Sequence, residues 1–530
     1  MRFQPKPLAV AGLLALCSVA HAGDKVWISL GDAALAQLQK HATVAPSASA
    51  VPTAQLAGVA ASAAAAVAGR TESIHLVQVD EDDLLQLSAA VHRELRRCGG
   101  FMFHTSEAEG LATLQRHAGN AKLAAAALAV TRPSYVIDQQ SVVTPMLSQM
   151  QASNIGQTIV DLSANVNRYY QTAAGVTASD WLKQRWTTLA AGRSDITVEQ
   201  FTHASWKQKS VIATIKGTDN ASQVVVLGGH LDSINQAGTS ETTRAPGADD
   251  DASGIASLTE VFRTLVANGY KPRRTLKFMA YAAEEVGLRG SQEIATSFAN
   301  AGTNVVGVMQ LDMTNYKGSA NDIYIYTDYT DSAQNTFVTN LIKTYLPTLK
   351  VGTDKCGYAC SDHASWTAKG YYATMPFEAA MGEDDPYIHT ANDTYANTGS
   401  QADHALKFAR MALAYMVELG SDGSSGGGGG TTPDKTETFT GSLTLNQTRS
   451  FGPFKAGVGT FKASTTGTGD IDLYARRTAV PTTSTYDCKS TGSTATESCS
   501  ISVTANGDAY VLLKGYSAGS YTLTVTYKPQ

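Results

Sequence analysis

The hydrophobic and polar positions follow different patterns along the chain, and the longest pattern predicts an α/β domain. Beyond about residue 220, short apolar runs typical of buried strands alternate with longer stretches of helical periodicity. The predicted strands are 223–228, 275–282, 305–312 and 322–327, and the predicted helices are 253–267, 289–298, 332–345 and 404–419. This alternation predicts a mostly parallel central sheet flanked by helices. Helices over 155–172 and 178–189 and a hairpin over 196–215 precede it, and we place the domain at 134–420.

The flanking regions have patterns of their own. Residues 23–133 combine strand-like segments (26–30, 73–79 and 101–104), an amphipathic helix over 80–97 and a low-complexity tract over 42–70, which predict a small α+β unit. Its position is typical of a removable propeptide, and a permanent accessory domain is the alternative. Residues 421–434 contain a glycine run and predict a flexible linker. Short Thr-, Ser-, Val- and Tyr-rich runs after it predict a small β-sandwich over 435–530.

Composition narrows the functional classes. With 43% hydrophobic and 16% charged residues, the 530-residue chain has the composition of a folded protein. The formal net charge is −5 and no sustained stripe of Lys and Arg is present, so we expect no nucleic-acid partner. We expect a monomer.

The first residues have the features of an export signal. Arg2 and Lys6 precede an apolar run over 8–19, which is too short to span a membrane comfortably, and Ala20 and Ala22 form a small-residue cleavage site. We therefore predict a signal peptide over 1–22 and a secreted protein that leaves the membrane after export.

Four cysteines form two closely spaced pairs, Cys356 with Cys360 and Cys488 with Cys499. In an oxidising compartment such pairs predict disulfides, and the second would staple one hairpin of the β-sandwich. A zinc site at the first pair is the alternative, but no second pair of thiols lies nearby.

Metal-type side chains follow the ends of the predicted strands. His230 and Asp232 come after strand 223–228, two residues apart and so on one side of the chain. A carboxylate in that position can accept the proton of a metal-binding imidazole. Glu284 and Glu285 follow strand 275–282, where one acid could ligate a cation while the other accepts a proton from water. Capping of the next helix is the alternative for these two acids.

Three adjacent aspartates, residues 249–251, precede helix 253–267. Carboxylates this close repel one another unless a cation lies among them. Helix capping is the structural explanation, which we favour for Asp251 but not for Asp249 and Asp250 together. Asp312 ends another predicted strand, and His389 lies in a loop after an acidic segment.

Ligands bind beyond the carboxyl ends of the strands in α/β sheets, so we expect these side chains to converge. The converging set is His230, Asp250, Glu284, Glu285, Asp312 and His389. Imidazole and carboxylate ligands without thiolate suit Zn²⁺ with an open coordination position. Two histidines and one shared acid could form two half-sites, and paired ions activate water and polarise a carbonyl. The sequence therefore predicts metal-dependent hydrolysis.

Several ordered tracts within residues 140–420 resemble secreted bacterial leucyl aminopeptidases of the two-zinc family. They are GGHLD (228–232), GADDDASG (247–254), AYAAEEVGLRGS (280–291), QLDMTNY (310–316), CGYACSDH (356–363) and IHT (388–390). The resemblance implies the zinc-exopeptidase fold and the removal of single residues from peptides with a free N-terminus.

The resemblance also implies roles for individual residues. It implies two zinc ions. His230 and Asp312 would bind one ion, Glu285 and His389 would bind the other, and Asp250 would bind both. Glu284 would be the general base, Asp232 would orient His230, and a cis peptide bond would lie beside Asp250.

An apolar pocket for the first side chain of the substrate is a further implication, and it would favour leucine. Its lining would be Met313, Tyr358, Cys360, Met375 and Phe377, with Ile388 at the edge. The segment MGEDDP (381–386) departs from the family, which has aromatic residues near Met381 and Asp384. We hypothesise that the added acids admit basic first residues.

The flanking regions fit the same comparison. Residues 23–133 are similar to the prodomain of these enzymes, which assists folding and inhibits the enzyme, and residues 435–530 resemble the prepeptidase C-terminal domain of secreted bacterial peptidases. Two alternatives remain. One is a single-zinc glutaminyl cyclase, or a deacylase or carboxypeptidase, on the same scaffold. The other is a binding or adhesion protein with an inactive hydrolase fold, which would require a missing ligand or base.

Overall fold

The computed structural model describes residues 24–50, 72–97, 99–117, 130, 132–421, 434–503 and 506–529. The predicted signal peptide and most of the predicted linker lie outside these residues. The chain divides into a larger unit, which contains the N-terminal segments together with 143–420, and a smaller unit that contains 421–530 and a short stretch at 136–142. Within the described ranges, no helix combines the length and apolar character needed to cross a bilayer.

The N-terminal segments form a small α+β structure, as the pattern predicted. Its four-stranded antiparallel sheet has the order β2-β3-β1-β4. The elements are β1 Lys25–Gly31, α1 Asp32–Leu38, β2 Ala48–Ala50, β3 Ile74–Asp80, α2 Asp83–Leu95, β4 Phe101–His104 and α3 Glu107–His117. Helices α1 and α2 pack together over the sheet, where Ile28, Val77 and Leu87 are buried in one core.

The rest of the larger unit is built on an eight-stranded mixed sheet with the order β11-β10-β12-β9-β7-β8-β6-β5. Its strands are β5 Ile196–Phe201, β6 Ser210–Ile215, β7 Asn220–His230, β8 Arg274–Tyr281, β9 Asn304–Gln310, β10 Ile323–Tyr326, β11 Val351–Asp354 and β12 Ala373–Phe377. The described helices between residues 140 and 421 are α4 Gln140–Leu147, α5 Ala152–Ser163, α6 Ala173–Leu189, α7 Ala252–Ala267, α8 Arg289–Asn300, α9 Ser332–Tyr345, α10 His363–Ala368 and α11 Asp403–Ser421.

The centre of this sheet is parallel, because β7 runs in the same direction as both β8 and β9. The apolar run of β7 from Val224 to Leu227 is buried on both faces, as expected for a strand covered by helices on each side. Antiparallel pairs flank this centre: β5 with β6, β6 with β8, and β10 with β12. The parallel centre brings the carboxyl ends of β7, β8 and β9 to one edge of the sheet.

One predicted helix is too long. Helix α5 ends at Ser163, and residues 164–172 form turns instead of the helix predicted over 155–172. Asn167 stabilises the turns because its side chain donates to the carbonyls of Ser240 and Thr243 and accepts from the Thr172 hydroxyl. Local periodicity could not reveal these contacts, which come from a loop more than 70 residues away along the chain.

The smaller unit consists of two four-stranded sheets, with the orders β13-β20-β15-β18 and β14-β19-β16-β17. The strands are β13 Lys435–Leu443, β14 Thr448–Ala456, β15 Gly459–Gly467, β16 Ile471–Arg477, β17 Cys488–Ser490, β18 Glu497–Val503, β19 Gly507–Gly515 and β20 Gly519–Tyr527. Phe461, Leu473, Val511 and Leu523 are buried in their shared core, so the predicted β-sandwich is confirmed.

Both predicted disulfides are present, Cys356–Cys360 and Cys488–Cys499. The expectation that the second staples one hairpin is wrong. Strand β17, which carries Cys488, pairs with β16, whereas β18, which carries Cys499, pairs with β15 in the other sheet. The disulfide therefore links the two sheets of the sandwich.

Candidate metal centre

The loops that follow β7, β8 and β9 meet at one edge of the sheet and bring the metal-type side chains together. His230 is the last residue of β7, Glu284 and Glu285 follow β8, and Asp312 follows β9. Each of the predicted ligand and base side chains is buried: His230, Asp232, Asp250, Glu284, Glu285, Asp312 and His389.

The ligand atoms form two groups that share Asp250. His230 Nε2 lies 2.9 Å from Asp250 Oδ1 and 3.5 Å from Asp312 Oδ1. On the other side of the same carboxylate, His389 Nε2 lies 3.0 Å from Asp250 Oδ2 and 2.9 Å from Glu285 Oε2. Within each group the ligand atoms lie within 4.8 Å of one another, a spacing that lets them bind one ion.

The charges in this cluster fit a bound cation. Glu285 Oε1 and Asp312 Oδ1 are buried and accept no hydrogen bond from the described residues. Burial alone would lower the pKa of His230 and His389, but the surrounding carboxylates outweigh it and raise both pKa values. Buried carboxylates without a partner are costly unless a cation neutralises them. Two imidazoles and several carboxylates without thiolate are a donor set that suits Zn²⁺.

The backbone that carries Asp250 is anchored by Asp393, a residue that the sequence pattern did not single out. The Asp393 carboxylate accepts the amide N–H of Asp249 at 2.8 Å and that of Asp250 at 3.1 Å. The peptide bond between Asp250 and Asp251 is cis, as the resemblance implied. Asp393 follows His389 by four residues, so one loop supplies a metal-type ligand and the anchor of the shared carboxylate.

Arg168 holds the same loop from the other side. It is fully buried, and its guanidinium donates to the carbonyl oxygens of Pro246, Gly247 and Asp250. The sequence pattern missed this role because it placed Arg168 within a predicted helix over 155–172, whereas the residue lies in the turns after α5.

Asp251 confirms the predicted helix cap and has a wider role. Its side chain accepts the N–H of Gly254 in the first turn of α7, as an N-cap does. It also accepts the backbone N–H groups of His230 at 2.9 Å and Met313 at 3.1 Å. One buried carboxylate therefore ties together the ends of β7 and β9 and the start of α7.

Asp232 contacts both the histidine and the acidic loop. Its Oδ1 lies 3.7 Å from His230 Nδ1, which also lies 3.2 Å from the backbone oxygen of Asp232. The carboxylate accepts the backbone N–H of Glu284 at 3.0 Å and of Glu285 at 3.2 Å. Its geometry thus allows it to orient the Glu284–Glu285 turn as well as the imidazole.

Glu284 has the surroundings of an acid–base residue. Its Oε1 is buried and accepts no hydrogen bond from the described part of the chain. Burial raises the pKa of Glu284, and the like charges of Asp362 and Asp312 add to this although His230 opposes it. A carboxyl group with a raised pKa beside a metal-type cluster is suited to accept and release a proton.

The predicted pocket residues fall into two places. Met313, Cys360, Met375, Phe377 and Ile388 pack in one apolar cluster next to the metal-type cluster. Tyr358 belongs to a different cluster, and its hydroxyl lies 2.6 Å from Ser29 Oγ in the N-terminal segment. A small cavity of about 10 Å³ lies in the first cluster, lined by Tyr326, Cys356, Cys360, Met375, Phe377, Met381 and Asp384.

The N-terminal segment covers this region. The ring of His92, on α2, lies 5.1 Å from the ring of His389. Arg96 donates to the carbonyl of Gly382 at 3.4 Å, and the Gly100 N–H donates to the carbonyl of Ala359 at 3.2 Å.

The N-terminal segment makes a second set of contacts with residues 287–289. The Phe103 N–H donates to the Gly287 carbonyl, and Arg289 pairs with Glu81 at 2.6 Å while lying over the Phe103 ring. The described N-terminal residues therefore contact the loops at Ala359, Gly382 and Gly287 and the start of α8 at Arg289.

Comparisons with known proteins show which families this chain resembles. Residues 210–416 match peptidase family M28, and residues 455–515 match the bacterial pre-peptidase C-terminal domain. The chain is 37% identical over 296 residues to leucine aminopeptidase 1 of Fusarium vanettenii, which covers 53% of this chain and 74% of that protein. It is 38% identical over 294 residues to leucine aminopeptidase 1 of Neurospora crassa, covering 53% of this chain and 71% of that protein.

Among solved structures, the LapA aminopeptidase of Legionella pneumophila superposes with a TM-score of 0.59 at 28% identity. The superposition covers 75% of this chain and 99% of that chain. LapB of the same organism also has a TM-score of 0.59, at 29% identity, and covers 75% of this chain and all of that one.

The anchoring role of Asp393 generates a prediction about metal affinity. Asp393→Asn replaces one of the two carboxylate oxygens with an amide group, which cannot accept the second backbone N–H. We expect zinc affinity to fall about 10- to 100-fold, as is typical when an outer partner of a ligand is lost. Competition with a chromogenic chelator measures this. Asp331→Asn is the matched control, because Asp331 accepts a backbone N–H at the N-cap of α9, outside the metal-type cluster. Equal affinities for both variants would contradict the anchoring role.

Proposed function

The chain belongs to peptidase family M28 and is a zinc-dependent aminopeptidase, and we propose that it uses two zinc ions to remove leucine and other large apolar residues from the N-terminus of peptides. The observation that carries the two-zinc part of this proposal is the pair of ligand groups that share Asp250. One zinc would be held by His230 and Asp312, the other by Glu285 and His389.

The chemistry divides between the ions and the protein. Bound zinc ions polarise the peptide carbonyl and lower the pKa of water. Glu284 accepts the proton of the attacking water, because its free Oε1 is buried beside the cluster and no described residue donates to it. The same carboxyl group then donates that proton to the departing amine, which completes the hydrolysis.

The other residues of the centre position these groups. Asp232 holds the Glu284–Glu285 turn by its backbone N–H groups and orients His230. Asp393 and Arg168 hold the loop of Asp250. Because these anchors are themselves buried, the ligand side chains lose little additional conformational freedom when the ions bind.

The apolar cluster beside the centre supports the preference for leucine. Met313, Met375, Phe377 and Ile388 present hydrocarbon surface next to the ligands. Burying a leucine side chain there contributes about 1.5–3 kcal/mol of binding free energy.

Secretion is part of the proposal. The N-terminal 22 residues have the pattern of an export signal, both cysteine pairs form disulfides, and a match to the bacterial pre-peptidase C-terminal domain lies after the linker. These features support a secreted bacterial enzyme, and a monomer is part of the same proposal.

The N-terminal segment is proposed to act as an intramolecular inhibitor and folding aid over 23–133. Its His92 ring lies 5.1 Å from the ring of His389, a proposed zinc ligand, and it contacts the loops at 359 and 382, where we propose that a peptide substrate passes. Its removal would therefore be the activating step of a zymogen.

A single-zinc enzyme such as a glutaminyl cyclase needs only one of the two ligand groups, so the complete second group argues against it. The same completeness, together with a buried base, argues against an inactive fold that serves only in binding. A deacylase or carboxypeptidase on the same scaffold recognises a different group of the substrate. An aminopeptidase requires a free N-terminal amine on its substrate, so this requirement would distinguish the two kinds of enzyme.

Metal removal tests the proposed centre. We expect a chelator to abolish hydrolysis of leucine anilide and added Zn²⁺ to restore it, with about two zinc ions per chain by elemental analysis. His389→Ala should retain about one zinc, because it removes a ligand of one group only. A wild-type content of one zinc per chain would instead favour the single-zinc alternative.

Glu284→Gln tests the base. The amide has the same shape but cannot accept the proton, so we expect kcat to fall about 10²- to 10⁴-fold with zinc content unchanged. Zinc content separates this result from loss of a ligand. Wild-type turnover in this variant would rule out Glu284 as the base.

Glu81→Lys tests inhibition by the N-terminal segment. Replacing the ion pair of Glu81 with Arg289 by like charges should weaken docking by about 1 kcal/mol, which corresponds to about fivefold higher activity of the uncleaved chain. Gel analysis confirms that the chain is intact. Glu94→Lys is the control, because Glu94 is exposed on the same segment and pairs with its neighbour Arg93. Equal activity of wild type and both variants would contradict the docking role of this ion pair.

A further inference from the structure

The cavity beside the metal-type centre is apolar except for one acid. Six of its seven lining residues are Tyr326, Cys356, Cys360, Met375, Phe377 and Met381, and the seventh is Asp384. Cys356 and Cys360 are joined in a disulfide, so neither presents a thiol. Asp384 is therefore the one carboxylate among the described residues that line this cavity.

The structure separates Asp384 from the acids on either side of it. Glu383 is exposed and accepts a hydrogen bond from Ser319 Oγ, outside the cavity. Asp385 is buried in the loop and accepts the N–H of Tyr387 at 2.9 Å. Of the three adjacent acids, Asp384 alone lines the cavity.

The Asp384 carboxylate has a second oxygen that is available as an acceptor. Its Oδ1 accepts the N–H of Gly382 at 3.1 Å, which closes a short turn. Burial raises the pKa of the Asp384 carboxyl to about 6, so the group is mostly ionised at neutral pH. No Lys, Arg or His of the described chain forms an ion pair with it. An ionised, half-buried carboxylate in apolar surroundings is stabilised by a cation.

We propose that Asp384 makes this cavity a binding site for basic first residues, so that the enzyme removes N-terminal lysine and arginine in addition to leucine. The proposal rests on the proposed aminopeptidase function and adds a substrate class to it. The methylene groups of a lysine side chain would contact Met375 and Phe377, and its ammonium group would pair with the Asp384 carboxylate. The cavity has a volume of only about 10 Å³, so the flexible Met375 and Met381 side chains must move aside to admit an unbranched stem, as they must for leucine.

The competing explanation is that Asp384 only closes the turn with Gly382. Asp384→Asn separates the two roles, because the asparagine side-chain oxygen still accepts the Gly382 N–H while the negative charge is removed. Glu383→Gln is the matched control: it removes a negative charge from the adjacent position of the same loop, outside the cavity.

The experiment compares lysyl and norleucyl anilides with the purified, zinc-loaded protein. The two substrates have unbranched side chains of the same carbon skeleton, and only lysine carries the terminal ammonium group. The ratio of their kcat/KM values does not depend on what fraction of the protein is active. For the wild type we expect lysyl turnover within about tenfold of norleucyl turnover. For Asp384→Asn we expect the lysyl-to-norleucyl ratio to fall at least about tenfold, as a charge-assisted pair requires. Glu383→Gln should keep the wild-type ratio.

Each other outcome has a distinct meaning. If leucyl and norleucyl anilides are hydrolysed but lysyl and arginyl anilides are not, the inference is overturned while the aminopeptidase function stands. If Asp384→Asn lowers both rates equally, Asp384 only maintains the loop and the inference is likewise overturned. If Glu383→Gln lowers the ratio as much as Asp384→Asn, the general charge of the loop is responsible and not the carboxylate in the cavity. If no anilide is hydrolysed, the proposed function itself fails.

Discussion

The structure depends on the burial of several carboxylates at one edge of a sheet with too few protein cations to neutralise them. Asp250, Glu285 and Asp312 approach two histidines within hydrogen-bonding distance or slightly beyond, and oxygens of these acids have no donor among the described residues. Such an arrangement is unfavourable for the protein alone. It becomes favourable when divalent cations occupy the cluster, so the same charges that would weaken the fold create the affinity for zinc.

A second group of buried acids has a different role, which is to anchor the backbone of the loops. Asp251, Asp393 and Asp232 each accept two or more backbone N–H groups from the loops that carry the ligands. Backbone N–H donors reduce the cost of burying such a carboxylate, although burial still raises the pKa of Asp251 and Asp393. The centre thus uses acidic side chains in two ways. Acids with oxygens that accept no hydrogen bond are available to bind cations, and acids that accept backbone N–H groups hold the loops that carry those ligands. Arg168 complements them because it donates to the carbonyls of the same loop.

The N-terminal segment and the cavity next to the metal-type cluster are bordered by the same loops. The N-terminal segment touches the loops that carry Gly357 to Cys360 and Gly382, and these loops also border the cavity next to the centre. Tyr358 illustrates the consequence, since its hydroxyl contacts Ser29 of the segment and not the cavity. The described N-terminal segment therefore already contacts the loops beside the cavity, and this contact is the basis of the proposed inhibition.

The sequence by itself predicted most of the elements, the strand ends and the candidate ligands, because these depend on local periodicity and on residue chemistry. An apolar run followed by His230, or by Glu284 and Glu285, places the side chain at the end of a buried strand in any α/β sheet. The capping role of Asp251 was equally local. The sequence alone could not separate Glu383, Asp384 and Asp385, nor identify Asp393 and Arg168, nor show that Cys488 and Cys499 join two sheets. Those features depend on contacts between segments far apart in the chain, and only the tertiary structure decides which oxygen meets a backbone N–H, which faces a cavity and which remains for a cation.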